Sequence, residues 1–259
     1  NPRFTWWIED QRMGAGQTSY EIFVGTDSSG ISIGRADKWD SGEIRSGSNL
    51  VLYSGEALEP LTKYYWSVRI RDNNGKLSKI SETASFETGM MKESNWKGSW
   101  ISDTRDIDLK PAPYFRKAFF IDRKVKKARA YIAVAGLYEL YINGQRVGDH
   151  RLDPAYTRFD RSNLYIVYDV TALLRSGENV VGVLLGNGWY NHQSKAVWYF
   201  DSAPWRARPR FCMDLNMEYD DGTEASVVTG ADWKTSLSPV VFNSIYTAEH
   251  YDARLEQPG

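Results

Sequence analysis

The sequence has few of the features that usually reveal a cellular or chemical role. It holds a single cysteine, Cys212, so no disulfide can form within the chain and the redox compartment stays undecided. Its charge is balanced, with 32 Lys and Arg against 33 Asp and Glu. That balance argues against a nucleic-acid partner and against an anionic membrane surface. No apolar run approaches the roughly 18 residues of a membrane-spanning helix, so we expect a soluble chain without a membrane partner.

The patterns that commonly carry catalysis are missing as well. The three histidines, His150, His192 and His250, are far apart and none stands in a metal-ligand spacing with another histidine or a glutamate. There is no Gly-x-Ser-x-Gly motif for a nucleophilic serine. The glycine patterns of nucleotide-binding loops are absent too. We therefore expect neither a metal nor a cofactor.

Aromatic residues, in contrast, are abundant, at 14% of the 259 residues. This richness suits β-sandwiches and also sugar-binding surfaces, and composition does not separate the two. The chain begins Asn1-Pro2-Arg3, with neither an initiator methionine nor a signal-peptide pattern, so we expect a chain cut from something longer.

Alternation of apolar and polar residues dominates the chain and predicts an all-β fold. In Phe211–Tyr219 the odd positions are apolar, which predicts a strand buried on one face, with Cys212 on the other face as a packing thiol. Asp221-Gly222 and Asn143-Gly144 predict two-residue hairpin turns. The only helix that we expect is a turn or two at Thr171–Leu174.

Two β-sandwiches account for the length, with residues 1–89 in the first, a linker at 90–95, and residues 96–259 in the second. In the first, Tyr64 begins a strand with Trp66, Val68 and Ile70 on one face. That spacing resembles the tyrosine corner of fibronectin type III domains, where the hydroxyl bonds back to nearby backbone. We expect a structural role for this unit.

The segment Gly186–His192 is the most informative part of the second unit. It places Asn187, Trp189, Tyr190 and His192 in a tight loop directly after an apolar strand, with further rings from Trp198 onward. Aromatic planes stack on the apolar face of a sugar, and amide or imidazole groups bind its hydroxyls. The same rings could instead cap the sandwich core, and the sequence leaves both readings open.

Paired carboxylates are a further possibility, because a glycosidase needs two of them about 5–9.5 Å apart. Asp149 and Asp153 flank Leu152 and could rim a loop at one end of the sandwich. Acids at strand ends are also ordinary surface residues. The full set of candidates is Glu139, Asp149, Asp153, Asp160, Glu249 and Asp252.

Taken together, these residues resemble the N-terminal, non-catalytic portion of a bacterial α-L-rhamnosidase of glycoside hydrolase family 78. The resemblance covers almost the whole chain, and its ordered series of short motifs is specific. In the first unit it consists of Pro2-Arg3-Phe4-x-Trp6, Gln17-Thr18-x-Tyr20-x-Ile22-x-Val24, Trp39-Asp40-Ser41-Gly42, Tyr65-Trp66-x-Val68-Arg69 and Phe86-Glu87-Thr88-Gly89. In the second it consists of Trp96-x-Gly98-x-Trp100-Ile101, Gly136-Leu137-Tyr138-Glu139-x-Tyr141-Ile142-Asn143-Gly144, Leu152-Asp153-Pro154-x-Tyr156-Thr157, Tyr168-Asp169-Val170-Thr171, Gly186-Asn187-Gly188-Trp189-Tyr190 and Glu249-x-Tyr251-Asp252-Ala253-Arg254.

The resemblance implies a fibronectin-like unit and a jelly-roll, galactose-binding-like sandwich ahead of an (α/α)₆ barrel. In such enzymes the barrel carries the catalytic acids and removes terminal α-L-rhamnose with inversion. Nothing here resembles the barrel's acidic motif, so no catalytic residue carries over and we expect this chain alone to be inactive. Its implied partners are a rhamnose-containing glycoside and the C-terminal barrel of the same protein. The implied sugar contacts are Asn187, Trp189, Tyr190, His192 and Trp198.

Three alternatives remain open at this point. The chain could be a free-standing carbohydrate-binding module, a purely structural scaffold, or an autonomous glycosidase built on Asp149 and Asp153. The sequence also leaves open whether the protein is secreted, periplasmic or cytoplasmic, and whether the second sandwich is complete at Gly259.

Overall fold

A computed structural model of the chain describes residues 2–195 and 197–257, so completeness of the second sandwich at Gly259 lies outside the described residues. The chain divides into two compact units, the first ending at Asn95 and the second beginning at Trp96. Strands make up almost all of the regular structure, and the prediction of an all-β chain of β-sandwiches is confirmed.

The first unit is built around one antiparallel sheet in the order β3-β2-β6-β7, with β4 also paired to β2, and a small sheet of β1 and β5. Its strands are β1 (Arg3–Thr5), β2 (Gln17–Gly25), β3 (Trp39–Asp40), β4 (Ile44–Arg45), β5 (Leu50–Leu52), β6 (Lys63–Asp72) and β7 (Ala84–Glu87). The alternate residues Tyr64, Trp66, Val68 and Ile70 of β6 all pack into one apolar cluster, as predicted.

The tyrosine corner is present. Tyr64 is fully buried, and its hydroxyl oxygen accepts a hydrogen bond of 2.8 Å from the backbone N–H of Glu59, five residues earlier. Its ring stacks on Phe86 of β7, with centroids 5.4 Å apart. The corner therefore ties the segment that enters β6 to the start of that strand, beside its partner strand β7.

Two five-stranded antiparallel sheets form the second unit, in the orders β13-β10-β15-β16, with β8 on β15, and β12-β11-β14-β9-β17. A separate two-stranded ribbon consists of β18 and β19. The strands are β8 (Ile101–Ser102), β9 (Pro113–Ile121), β10 (Val125–Ala135), β11 (Leu137–Ile142), β12 (Gln145–Arg146), β13 (Tyr165–Asp169), β14 (Gly177–Gly186), β15 (Arg210–Tyr219), β16 (Glu224–Val228), β17 (Lys234–Leu237), β18 (Val240–Ser244) and β19 (Ala248–Tyr251).

The core of this unit lies between the facing sheets. Alternate residues of β10 and β15, such as Ile132 and Leu215, meet alternate residues of β11 and β14, such as Leu140 and Val183, in one continuous apolar cluster. The outward positions of β11 and β14 are left only partly buried.

The two hairpin predictions had different outcomes. Asn143 and Gly144 both have positive φ, at 51° and 80°, and connect paired residues on either side, so the two-residue turn is confirmed. The two-residue turn at Asp221-Gly222 is wrong. There the Tyr219 N–H donates to Thr223 O, which leaves a three-residue loop with only Gly222 at positive φ, 79°.

The prediction that β15 is buried on one face only is also wrong. Asp214, on the polar-patterned face, is buried because its carboxylate accepts the backbone N–H groups of Lys97 and Gly98, each at 2.8 Å. Cys212 lies on the same covered face, and its thiol donates to Gly98 O. Burial raises the pKa of this thiol to about 11, so its role as a packing thiol is confirmed.

Helices are few and short. The helical turn expected at Thr171–Leu174 is a single 3₁₀ turn at Thr171–Leu173. The helix α1 (Ser28–Ser32), whose N-terminus is capped by the Asp27 carboxylate, was not predicted. Five residues are too few to produce a helical period. The remaining 3₁₀ turns are Glu93–Asn95, Val197–Ser202 and Ala253–Leu255.

Removing the hydroxyl of the corner tyrosine tests its contribution to stability. We expect Tyr64→Phe to lower the free energy of unfolding of the first unit by about 1 kcal/mol, because one partly buried hydrogen bond is lost while the ring packing remains. Tyr65→Phe is the matched control, since it removes the same atom from the next residue, on the opposite face of β6. Denaturant titration measures both. Equal stabilities for the two variants would contradict the assignment.

Candidate functional site

The loop predicted to be functional leaves β14 at Gly186 and continues to Arg210, where β15 begins. Its path needs a glycine at position 188, where φ is 50° and an added Cβ would lie 2.9 Å from Leu137 Cγ. The turn brings the following residues back over the end of the sheet. The loop is therefore set by the backbone directly after the strand.

Three asparagines tie the first turn of this loop together. The backbone N–H of Asn187 donates to Asn243 Oδ1 at 2.7 Å, which joins the loop to β18. The side-chain amide of Asn191 donates to Asn187 Oδ1 at 3.1 Å and to Ile107 O at 3.0 Å. Asn187 and Asn191 are both buried. Their polar groups are used to hold the chain rather than displayed to solvent.

The end of the loop is clamped onto the segment that precedes β9, residues 103–111. Arg208 and Asp103 form a bidentate ion pair, with Nε–Oδ1 at 2.9 Å and Nη2–Oδ2 at 2.7 Å, and both side chains are almost completely buried. The same guanidinium also donates to Leu109 O at 2.8 Å and Pro111 O at 3.1 Å. A paired and fully hydrogen-bonded charge of this kind tolerates burial, whereas an unpaired one does not.

Two more side chains of the loop bind the same segment. The amide of Gln193 donates to Ile107 O at 3.1 Å and to Leu109 O at 3.0 Å. Arg206 donates to Asn191 Oδ1 at 3.1 Å and pairs with Asp108. The loop and the segment 103–111 consequently form one hydrogen-bonded layer.

Aromatic rings pack outside this layer in what we call the aromatic cluster. Trp189 is its centre, with ring centroids 5.0 Å from Phe200, 5.4 Å from Tyr246 and 5.8 Å from His192. These distances are typical of favourable aromatic pairs. The members of the cluster, joined by ring contacts, are Tyr156, Phe159, Trp189, Tyr190, His192, Trp198, Phe200, Trp205 and Tyr246.

Part of the aromatic cluster is open to solvent. Trp198 is 72% exposed, and the adjacent Tyr199 is also strongly exposed. Both have positive φ, 75° and 56°, a backbone conformation that costs free energy for residues other than glycine. Tyr156 and Tyr246 are about half exposed. The result is a group of outward-facing rings on and beside a loop whose base is fixed by buried polar groups.

The five predicted sugar contacts therefore occupy different environments. Asn187, Tyr190 and His192 are each no more than 3% exposed, Trp189 is partly buried, and Trp198 is open. The Tyr190 hydroxyl accepts a hydrogen bond of 2.6 Å from Arg210 Nε. The loop brings all five together. Their role in sugar contact stays a prediction, and exposure favours Trp198 and the free part of Trp189 for it.

The residues that hold the loop in place were not predicted from sequence. Asn191, Arg206 and Arg208 bind partners some 84 to 105 positions away in the chain, so no local pattern reveals them. Tyr156 belongs to the motif Leu152-Asp153-Pro154-x-Tyr156-Thr157, but that motif does not indicate a contact with the rings of the loop. Tyr246 lies in the turn between β18 and β19, and nothing in its neighbourhood indicates a contact with Trp189.

His192 is held beside a small cavity. Its Nε2 lies 3.0 Å from Ser194 Oγ, and burial lowers the pKa of the imidazole below its usual value of 6.5. The cavity, of about 20 Å³, is lined by His192, Gln193 and Asn243 among others, and has room for one water molecule. In this environment we expect the His192 imidazole to be neutral and held in place by Ser194.

The predicted pair of Asp149 and Asp153 does not form a comparable site. His150 lies 3.4 Å from Asp153 and 3.8 Å from Asp149, whose side chain is fully exposed. Within residues 2–195 and 197–257, no three His, Cys, Asp or Glu side chains cluster in a way that could hold a metal ion. Over the same residues, no helix has the length and apolar character to cross a membrane.

The fold and the loop define an all-β protein of two sandwich units, and its sequence matches two families. The family model described as "Alpha-L-rhamnosidase N-terminal domain" matches residues 123–259, more than half of the chain. The one described as "Rha78A-like, N-terminal immunoglobulin domain" matches residues 1–92. The chain belongs to the α-L-rhamnosidase family, and the family resemblance seen in the sequence is confirmed.

Relatives with assigned names agree. An α-L-rhamnosidase of Formosa agariphila is 35% identical over 99% of this chain, and one of an Alteromonas species is 31% identical over all of it. Among solved structures, the α-L-rhamnosidase of Dictyoglumus thermophilum superposes with a TM-score of 0.89 at 38% identity over 99% of the chain. That of Aspergillus terreus gives 0.78 at 30% identity over the full chain. The chain spans about three-tenths of the length of each of these proteins.

Breaking the buried ion pair tests how the loop is held. We expect Asp103→Asn to lower the free energy of unfolding by about 3–5 kcal/mol, because Arg208 keeps its charge in a buried site without a counter-ion. Asp108→Asn is the matched control, since it makes the same substitution at the exposed partner of Arg206 and should cost less than about 1 kcal/mol. Denaturant unfolding measures both. Similar losses for the two variants would show that the buried pair does not anchor the loop.

Burial of His192 predicts a dependence of stability on pH. Because the folded pKa lies below the unfolded value near 6.5, the unfolded state binds more protons as the pH falls through 6.5. The free energy of unfolding should decrease over that window and level off below the folded pKa. Unfolding of the original chain and of His192→Gln between pH 8 and about pH 5 measures the difference. The same decrease in both proteins would exclude His192 as its source.

Proposed function

We propose that this chain is the accessory, N-terminal part of an inverting α-L-rhamnosidase that removes terminal α-L-rhamnose from rhamnosides. The catalytic (α/α)₆ barrel would be supplied by the C-terminal part of the same polypeptide. The observation that carries the proposal is the match over essentially the whole chain to named α-L-rhamnosidases that are about three times as long. In this arrangement the chain recognises the substrate and packs against the barrel, and the barrel hydrolyses the substrate.

The architecture of the loop supports a role in recognition. Polar side chains hold the loop from beneath, through Asn187, Asn191 and Arg208, while Trp198 and the neighbouring rings face outward. A sugar ring stacks its apolar face on such a ring, and a preformed loop loses little conformational entropy when it binds. Inverting hydrolysis additionally requires an acid and a base on opposite sides of the bond, which the barrel would provide.

A purely structural role is the second candidate, and one observation favours it. The outward rings of Trp198, Tyr199 and Tyr246 form an apolar area of the kind that another part of a protein commonly covers. In that case the rings would pack against the barrel and no sugar would touch them. The two roles predict different kinetics for a variant of Trp198.

The direct test compares turnover. Hydrolysis of an aryl α-L-rhamnoside is measured for the complete polypeptide and for this 259-residue chain at equal concentration. Turnover by the complete polypeptide and none by the chain is the expected result. No turnover by either would contradict the rhamnosidase assignment, and turnover by the chain would contradict an accessory role.

A substitution separates recognition from packing. In the complete polypeptide, Trp198→Ala should raise KM for a rhamnoside about tenfold with little change in kcat, because binding that is equal in ground and transition states is lost. Trp100→Ala is the matched control, since Trp100 is also exposed and lies outside the aromatic cluster. Steady-state kinetics and thermal unfolding are measured together. A lower unfolding temperature with unchanged KM would favour the structural role.

A further inference from the structure

A second concave surface lies on the outer face of the sheet β12-β11-β14-β9-β17. Strand pairing places Glu139, Leu184 and Tyr114 side by side in one row across β11, β14 and β9. The neighbouring row, two residues earlier in β11, pairs Leu137 with Gly186. All of these residues point away from the core, because the alternate residues Tyr138, Leu140 and Leu185 are the buried ones.

The surface is a groove because two other elements rise beside this face. The ribbon β18–β19 contributes Asn243, Glu249 and Tyr251, and the loop before β13 contributes Arg151 and Leu152. The groove has a volume of about 660 Å³, within the range of about 300–1,000 Å³ for small-molecule sites. It is thus large enough for one or two sugar rings.

Gly186 helps to keep the groove open. Its φ is not in the left-handed region, and an added Cβ would meet its nearest neighbours, Asn243 Oδ1 and Leu137 Cβ, at an ordinary 3.5 Å. The backbone therefore does not require glycine at this position. The missing side chain leaves space above the sheet that a larger residue would fill.

The chemistry of the groove combines apolar surfaces with two carboxylates, of which Glu139 is partly buried and Glu249 is exposed. Leu137 and Leu184 form an aliphatic patch, and Tyr141 and Tyr251 supply rings. The Tyr141 hydroxyl donates to Glu139 Oε2 at 2.6 Å, and the Tyr251 hydroxyl donates to Glu256 Oε1 at 2.7 Å, so each ring is held by a carboxylate. A carboxylate accepts several hydrogen bonds, and Glu139 keeps acceptor capacity after these contacts.

We infer that this groove binds a 6-deoxyhexose unit of a rhamnoside, separately from the aromatic cluster. The methyl group and the apolar ring face lie on Leu137, Leu184 and Tyr251, while the Glu139 and Glu249 carboxylates accept hydrogen bonds from the sugar hydroxyls. The choice of rhamnose rests on the proposed function. Glu139 already contacts the Tyr141 hydroxyl and lies 3.4 Å from Arg146 Nε, and its side chain is still one-third exposed. A saccharide fits better than an apolar protein surface, since sugar hydroxyls can replace the water that this carboxylate would lose on being covered.

Binding to this chain is measured by ligand-observed NMR with methyl α-L-rhamnoside and with methyl α-L-mannoside, which carries one additional hydroxyl, on C6. We expect the mannoside to bind about tenfold more weakly, because that hydroxyl would be buried against leucine without a partner. Equal affinities for the two sugars would overturn the assignment of the methyl group to the aliphatic patch.

Variants locate the site. Glu139→Gln and Tyr251→Ala should each weaken binding of the rhamnoside about fivefold or more, since each removes a contact with the sugar. Glu218→Gln, which makes the same change at an acid of β15 paired with Lys126, should leave the affinity unchanged. Thermal unfolding confirms that each variant is folded.

The outcomes separate this inference from the proposed function. Loss of binding in Trp198→Ala with full binding in Glu139→Gln would overturn the groove and leave the rhamnosidase assignment intact. So would hydrolysis by the complete polypeptide combined with no binding by this chain. Binding in the groove with no hydrolysis by the complete polypeptide would support the groove and overturn the proposed function.

Discussion

The buried ion pair between Asp103 and Arg208 is the constraint on which the loop of the second unit depends. Removing two charges from water is costly, and the cost is met only because the pair is bidentate and the remaining guanidinium hydrogens reach Leu109 O and Pro111 O. These contacts join the end of the loop to the segment before β9. With both ends fixed, the rings between them are presented in a defined arrangement rather than sampled by a flexible loop.

The ribbon β18–β19 joins the two surfaces to which we assign sugar contacts. Asn243 binds the backbone of Asn187 from one side of the ribbon, and Tyr246 in its turn packs against Trp189. The same ribbon lines the outer groove with Glu249 and Tyr251. A displacement of the ribbon would therefore change the aromatic cluster and the groove together.

Much of the fold could be predicted from local patterns, because period-two alternation and turn chemistry act over a few residues. Tyr64 and the Asn143-Gly144 turn are examples, since each depends on neighbours in sequence. The burial of Asp214 could not be predicted in this way, because it depends on backbone N–H groups of Lys97 and Gly98, more than a hundred positions away. The burial of residues in the loop could not be predicted from local sequence for the same reason. Asn187 was predicted as a sugar contact, but it is buried, and its backbone N–H donates to Asn243, 56 positions away.

This loop reverses the usual distribution of side chains. Its amides and guanidinium groups are largely buried, where their donors satisfy backbone carbonyls of a neighbouring segment, and the rings of Trp198 and Tyr199 face solvent. Positive φ at Trp198 and Tyr199 adds a free-energy cost to that exposure. Stability alone would favour burying these rings, so the arrangement is best explained by something that covers them in function. A sugar ring and a packed barrel both meet that requirement, and a loop held in place before binding lowers the conformational entropy lost in either case.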